Sequence, residues 1–225
     1  MRKKVYYALP TYKALDLAYE SVLAVLRGTV VPDKIIIADN TGDGSGTNYL
    51  KPLTEKFANV YIWPQTYNIG VSKSWNLFHR EIADDYIIIA NDDIQVDPYT
   101  IEKIVTTAEA RPNDILFTGD GESGNAFSLF LLTQRGYNLI GAFDEKFSPA
   151  YFEDNDYARR MFLKGYYIVP VKGATYRHEG SSTLKRFTPQ EWDAHHNSHR
   201  ANERYYIAKW GGLPHNEYYD TPFNM

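Results

Sequence analysis

The stretch Asp85-Tyr86-Ile87-Ile88-Ile89-Ala90-Asn91-Asp92-Asp93 constrains this chain more than any other. An unbroken apolar run ends abruptly in an amide and two adjacent carboxylates. A strand covered by helices on both faces reads as such a run, whereas a strand with one wet face alternates. The stretch therefore predicts a central strand of an α/β sheet. Ligands of open α/β sheets bind just outside the carboxyl ends of the strands, where Asn91, Asp92 and Asp93 would stand. Carboxylates crowded there repel each other unless a cation holds them, and hard divalent cations take oxygen ligands. A strand followed by an Asp-rich turn gives the same letters, so the motif alone leaves both readings open.

The surrounding pattern agrees with a sheet. Residues 5–9 read as a first strand ending at Pro10-Thr11, and 15–27 carry apolar residues at helical spacing, closed by Gly28. Residues 34–38 form a second apolar run that delivers Asp39-Asn40 into a Gly-rich loop, 41–46. A helix over 49–57, a strand over 60–63 and a helix over 72–82 follow, then the opening strand. This β-α-β-α-β-α-β order predicts a parallel sheet with right-handed crossovers. A helix from Pro98 to about residue 110 and a short strand over 115–118 complete the first half, residues 1–118. Beyond it, in 119–225, a polar loop (Asp120-Gly121-Glu122-Ser123-Gly124-Asn125) precedes an apolar run over 126–132, and the regular winding stops. This half reads as α+β, built onto the sheet. No linker or repeat separates the halves, so the 225 residues are expected to form one domain.

Composition excludes several classes. With 44% hydrophobic and 23% charged residues the chain is globular and not disordered. A net charge of -4 argues against nucleic acid as a partner. There is no cysteine, which excludes disulfides, thiolate metal sites and a Cys nucleophile, and fits a reducing, cytoplasmic compartment. The basic start Met1-Arg2-Lys3-Lys4 precedes an apolar run that stops at Pro10, too short for a signal peptide. No segment reaches the roughly 20 apolar residues of a membrane span. Tyrosine is abundant, 19 residues, and its apolar face and polar tip suit sugars and nucleobases, although a Tyr-rich core and surface is the ordinary reading.

Candidate site residues gather around the strand ends. Pro10, Thr11 and Asp39 should converge on one crevice, where a carboxylate can accept hydrogen bonds from a ribose or base edge. The 41–46 loop lacks both phosphate-loop patterns and reads as a surface turn. Asn68-Ile69-Gly70-Val71-Ser72 opens a helix. Its backbone N–H groups either face an anion or belong to an ordinary start capped by Ser72. In the second half, Phe152-Glu153-Asp154-Asn155-Asp156 sets acids at the start of a helix over 156–164, where the macrodipole favours negative charge. Glu153 and Asp154 are thus capping acids or catalytic ones. His178 lies beyond a short strand and is a metal ligand only if a partner site exists. His195 and His199 form an i, i+4 pair with metal-binding spacing, but the polar segment 189–209 reads as an exposed helix with solvated histidines.

Taken in order, Leu9-Pro10-Thr11-Tyr12, Ile37-Ala38-Asp39-Asn40, Asn68-Ile69-Gly70, Asn91-Asp92-Asp93, Phe143-Asp144-Glu145, Phe152-Glu153-Asp154-Asn155-Asp156 and His178-Glu179-Gly180-Ser181 resemble the family 2 glycosyltransferases of the GT-A fold. The resemblance covers roughly residues 5–182. It implies a mainly parallel nucleotide-diphospho-sugar-binding sheet flanked by helices, with an α+β acceptor-side half. It further implies a nucleoside-diphosphate-sugar donor, a glycan or other hydroxyl acceptor, inversion at the anomeric carbon and a Mn²⁺ or Mg²⁺ cofactor. Asn91-Asp92-Asp93 looks like the family's D-x-D motif with Asn in first place. Asp93 matches the metal-binding acid and His178 a position that can complete the metal site. Pro10, Thr11, Asp39, Asn68, Gly70, Asn91 and Asp92 fall on the donor side. Glu153-Asp154 looks like the acidic pair that supplies the base, with Asp154 the first choice and Glu153 the second. Two other classes share some of these features: a sugar nucleotidyltransferase, which usually carries a Gly-rich basic loop where this chain has Pro10-Thr11-Tyr12-Lys13, and a non-catalytic nucleotide- or sugar-binding module.

Overall fold

The structure, a computed structural model, describes residues 3–82, 86–121 and 125–225. Asp85 at the head of the apolar run, residues 122–124 of the polar loop, and Met1 and Arg2 lie outside the described residues.

Four strands carry the continuous apolar runs: β1 (Val5–Thr11), β2 (Lys34–Asp39), β3 (Val60–Pro64) and β4 (Tyr86–Ala90). Alternate side chains along them feed two separate cores. Val5, Tyr7, Leu9, Ile35, Ile37 and Ile88 join helices α1 (Leu15–Leu26), α2 (Ser45–Lys56) and α4 (Thr100–Ala110). Tyr6, Ala8, Ile36, Ile87 and Ile89 join α3 (Val71–Glu81) and α6 (Glu153–Leu163) through Trp75, Phe78, Tyr157 and Met161. Both faces of β1, β2 and β4 are dry, which is why they read as uninterrupted apolar runs, while β3 lies at the sheet edge and leaves Tyr61 exposed. Truncating a residue such as Ile88, fully buried, to Ala is expected to cost about 2–5 kcal/mol.

Strands β3-β2-β1-β4 are mutually parallel. The sheet then changes sense. Strand β7 (Leu129–Thr133), which leads into helix α5 (Gln134–Ile140), pairs antiparallel with β4, and β6 (Leu116–Gly121) antiparallel with β7. Strand β8 (Ile168–His178) runs parallel to β6, and β5 (Ile94–Val96) closes the edge antiparallel to β8. Among the described residues this is one mixed eight-stranded sheet, in which a parallel half continues directly into a half of mixed sense. Three details depart from the sequence expectations. Strand β5 was not anticipated. The strand before His178 is long, eleven residues, and includes His178 itself. Helix α4 starts at Thr100 because the Pro98 carbonyl accepts the Thr29 N–H.

The segment expected as an exposed polar helix, α7 (Pro189–Trp210), is partly internal. A Thr188–Glu191 capping box fixes its start, and Asn202, Tyr206, Lys209 and Trp210 are buried. The Lys209 ammonium sits 2.7 Å from Asp144 Oδ2 and 2.6 Å from Asp156 Oδ1. Trp210 Nε1 donates to Asp156 Oδ1 at 2.9 Å, and Arg160 Nε to Asp156 Oδ2 at 2.9 Å. Helix α6 is thus locked onto α7 by a buried charge network. Among the described residues no helix is long and apolar enough to cross a membrane.

Candidate active site

Strand β4 delivers Asn91, Asp92 and Asp93 to the carboxyl edge of the sheet, beside the end of β1. Asp92 accepts a hydrogen bond from Thr11 Oγ1 at 2.8 Å. Burial pushes its carboxyl up to about 7, with the Asp93 charge adding to the effect and the Thr11 bond opposing it. Asp93 is held from the other side. The last residue of β8, His178, places Nε2 2.9 Å from Asp93 Oδ1, and Ser182 Oγ donates to Asp93 Oδ2 at 2.9 Å. Burial alone would raise Asp93, but the His178 and Ser182 hydrogen bonds and the His178 charge outweigh it, and the carboxyl lies below its ordinary range.

The second acidic pair stands on the first turn of α6. Two consecutive non-glycine residues before it adopt left-handed backbone, Tyr151 at φ 81° and Phe152 at φ 72°. Such conformations are costly and persist only where surroundings enforce them. Here Asn202 Nδ2 of α7 donates to the carbonyls of Ala150, at 2.8 Å, and Tyr151, at 3.2 Å. The turn aims Glu153 and Asp154 into the cleft. Glu153 is 5% exposed, and its Oε2 has no hydrogen-bond partner. Burial, reinforced by the Asp154 charge, drives its carboxyl well above the ordinary range. Burial also raises Asp154, partly offset by hydrogen bonds from the Asn155 N–H and Asn125 Nδ2.

A single cavity of about 370 Å³ collects most of the residues singled out from the sequence. Pro10, Thr11, Asn68, Gly70, Asn91, Asp92, Asp93, Glu153, Asp154 and His178 all line it. Asp39 does not. Its neighbour along the sheet edge is Thr11, as expected, but its carboxylate turns away to accept from Thr41 N, Thr41 Oγ1 and Thr47 Oγ1 at 2.6–3.0 Å. The adjoining Gly-rich segment is therefore more than a surface turn. Ser45 and Gly46 begin α2, and a Cβ on Gly46 would fall 2.2 Å from Asp39 Oδ1. The helix opening at Gly70 is also otherwise engaged. Asn68 Oδ1 accepts the Gly70 N–H, the Pro149 carbonyl accepts the Val71 N–H, and Ser72 donates to the Phe147 carbonyl instead of capping. Those two amides are committed to protein partners rather than to an anion.

The structure also gathers Trp75, Phe127, Tyr151, Ser182 and Phe187, which carry no sequence signal, and Asn40, Asn125 and His195, which were not assigned to the site; all line the same cavity. His195 and His199 are half-buried rather than fully solvated; both rings pack on Tyr151, with centroids 5.4 and 5.2 Å away. Buried polar atoms are normally hydrogen-bonded. Among the described residues, Asn40 Oδ1, Trp75 Nε1, Glu153 Oε2 and His178 Nδ1 are buried without partners, and all four residues line this cavity. Among the described residues, four carboxyl groups line it as well, with no lysine or arginine.

A metal fits this donor set in one place. Two ligand atoms at right angles on an ion, each about 2.1 Å from it, stand about 3 Å apart. The 2.9 Å between Asp93 Oδ1 and His178 Nε2 matches. Among the described residues no cluster of three or more His, Cys, Asp or Glu side chains is arranged for a metal, so the protein alone would fill only part of a coordination shell.

The fold is that of the GT-A glycosyltransferases. The chain superposes on the mannosyltransferase PcManGT from Pyrobaculum calidifontis, solved with GDP-Man and Mn²⁺, with a TM-score of 0.67 at 14% identity, over 83% of this chain and 60% of that one. It superposes on residues 1–349 of S. aureus TarS with a TM-score of 0.63 at 13% identity, over 81% of this chain and 62% of that one. The chain therefore spans about three fifths of the length of these proteins. Residues 7–168 match glycosyl transferase family 2, and the chain belongs to that family. No curated protein sequence matches it.

Proposed function

We propose that the protein is an inverting, divalent-metal-dependent glycosyltransferase that moves a sugar from a nucleoside-diphosphate-sugar to a hydroxyl of a glycan or other acceptor. One observation carries this reading. A single cavity holds a low-pKa acid paired with an imidazole and, from a distant part of the chain, a raised-pKa acidic pair, with no lysine or arginine among the described residues of its lining. A diphosphate entering a pocket with four carboxyl groups and no cationic side chain is repelled unless a cation accompanies it. Asp93 and His178 are the side chains that would hold that cation, with diphosphate oxygens and water supplying the other ligands. The bound ion supplies Lewis-acid neutralisation of the charge that develops on the leaving diphosphate. The imidazole ligand favours Mn²⁺ over Mg²⁺, and the Mn²⁺ complex of the similar mannosyltransferase supports the same choice.

The chain's own groups divide the remaining work. Burial and the neighbouring Asp154 charge favour the protonated form of Glu153, which leaves Asp154 as the acid of the pair suited to act as base. Asp154 then takes the proton of the acceptor hydroxyl as that oxygen forms a bond to the anomeric carbon and the carbon–phosphate oxygen bond breaks. The diphosphate departs from the opposite face, so one displacement inverts the centre. A positioned base of this kind contributes roughly 10²- to 10⁴-fold. Asn40 Oδ1 and Trp75 Nε1 are the unpaired groups available to the rest of the donor. A screen of nucleotide-sugars for hydrolysis, with and without Mn²⁺, tests the reading: one donor should turn over, and chelation should stop it. Turnover that ignores chelation would remove the metal from the proposal, and no turnover of any donor would remove the enzyme.

A further inference from the structure

The side of the cavity next to Glu153 and Asp154 is walled by rings. Tyr151 and Phe187 line the cavity with His195 between them, at centroid distances of 5.4 Å from Tyr151 and 5.8 Å from Phe187. Trp192 backs both Phe187, at 6.0 Å, and His195, at 5.6 Å. Tyr151 is 38% exposed and lies two residues before Glu153, held by the strained turn that Asn202 supports. Two cations beside this wall are engaged elsewhere, Lys13 with Glu191 at 2.6 Å and Arg186 with Asp16.

Resting on the glycosyl-transfer reading, we propose that Tyr151, Phe187 and His195 form an acceptor subsite for an uncharged sugar ring, which presents one hydroxyl to the Glu153–Asp154 pair. A pyranose has an apolar C–H face that packs on aromatic rings and a polar rim that needs hydrogen bonds. The wall offers the first. The Tyr151 hydroxyl and the His195 imidazole offer the second. Burial, with the neighbouring His196 and His199 charges, lowers the His195 pKa, and a neutral imidazole both donates and accepts. The four carboxyl groups, and the lack of Lys or Arg among the described residues of the lining, make the pocket hostile to phosphorylated or carboxylated acceptors.

The test uses the donor identified by hydrolysis and compares methyl glycosides of glucose, galactose and mannose with the 6-phosphates of the same sugars. Neutral glycosides should be the better acceptors. Phe187→Ala should raise the acceptor KM by at least about fivefold while the donor KM moves less than about twofold. Phe187→Leu, which keeps bulk and removes the ring, covers the case in which alanine unsettles the segment. Preference for the sugar phosphates, or an acceptor KM unchanged in both Phe187 variants, overturns the subsite while leaving the transferase intact. If no donor is hydrolysed, the transferase reading fails separately. Saturation-transfer NMR with the same methyl glycosides then decides the subsite alone: ring-proton signals lost in Phe187→Leu support it, and no signal from the unmodified protein overturns it.

Discussion

The two acidic pairs of the cavity are neighbours in sequence type and opposites in construction. Asp92-Asp93 follows a strand buried on both faces and is gripped by hydroxyl and imidazole partners on Thr11, Ser182 and His178. Glu153-Asp154 stands on a helix turn reached through two strained residues, and Glu153 Oε2 has no partner. Polar partners pull the Asp93 carboxyl below its ordinary range, while burial without enough partners drives that of Glu153 above it. On the proposed function, the difference separates a place for a cation from a place for a proton. It follows from solvation and hydrogen bonding, since all four groups are carboxylic acids.

The comparison is broken most directly at Asp154. Asp154→Asn keeps size and most hydrogen bonds but cannot take a proton, so turnover should fall by at least about a hundredfold with little change in donor affinity. Glu153→Gln should cost much less, and the reverse ranking would move the base to Glu153. At the other pair, Asp93→Ala should abolish the metal-dependent part of nucleoside diphosphate affinity in calorimetry. Retained metal dependence in that variant would erase the proposed division of labour.

The supports differ as well. The first pair stands on the sheet, the second on the charge network between α6 and α7. Lys209→Met leaves Asp144 and Asp156 without their ammonium and should destabilise the fold by about 3–5 kcal/mol in denaturant unfolding, as expected for one partner of a buried ion pair. A loss below about 1 kcal/mol, the range of surface pairs, would mean that α6 is held by packing alone.

The smallest effect sharpens the proton argument. A carboxyl whose folded-state pKa is raised contributes stability that is complete below its unfolded value and lost as pH rises through the folded one. The melting temperature of the unmodified protein should therefore fall more between pH 5 and pH 8 than that of Glu153→Gln. Parallel pH profiles for the two proteins would show that Glu153 is solvated like any surface acid.

Much of the first half is legible in the letters because strands dry on both faces must be continuously apolar. The runs at 34–38 and 86–90 and the helical spacing after Thr11 place β1, β2, β4, α1 and α4 to within a residue or two, while α2 begins at Ser45, ahead of the expected 49. The family order of motifs likewise locates thirteen of the described residues that line the cavity. Asp39 shows the limit of that signal. Its position at a strand end was read correctly, but Thr41 and Thr47 compete for its carboxylate, and only coordinates reveal the competition. Trp75 and Phe187 gave no signal, since a ring looks the same in a core as in a cleft.

The sequence by itself determined the periodicities, the strand-end acids and the absence of thiol chemistry, because these depend on residues close together along the chain. The tertiary structure decided what depends on distant residues meeting. It inserted β7 antiparallel between β4 and β6, brought His178 to Asp93 across the sheet, and folded α7 back so that Lys209 and Asn202 fix the turn carrying Glu153 and Asp154. Side-chain pKa values and open hydrogen bonds arise from that packing. A carboxylate's chemistry is written by its neighbours in space, which the order of residues alone does not supply.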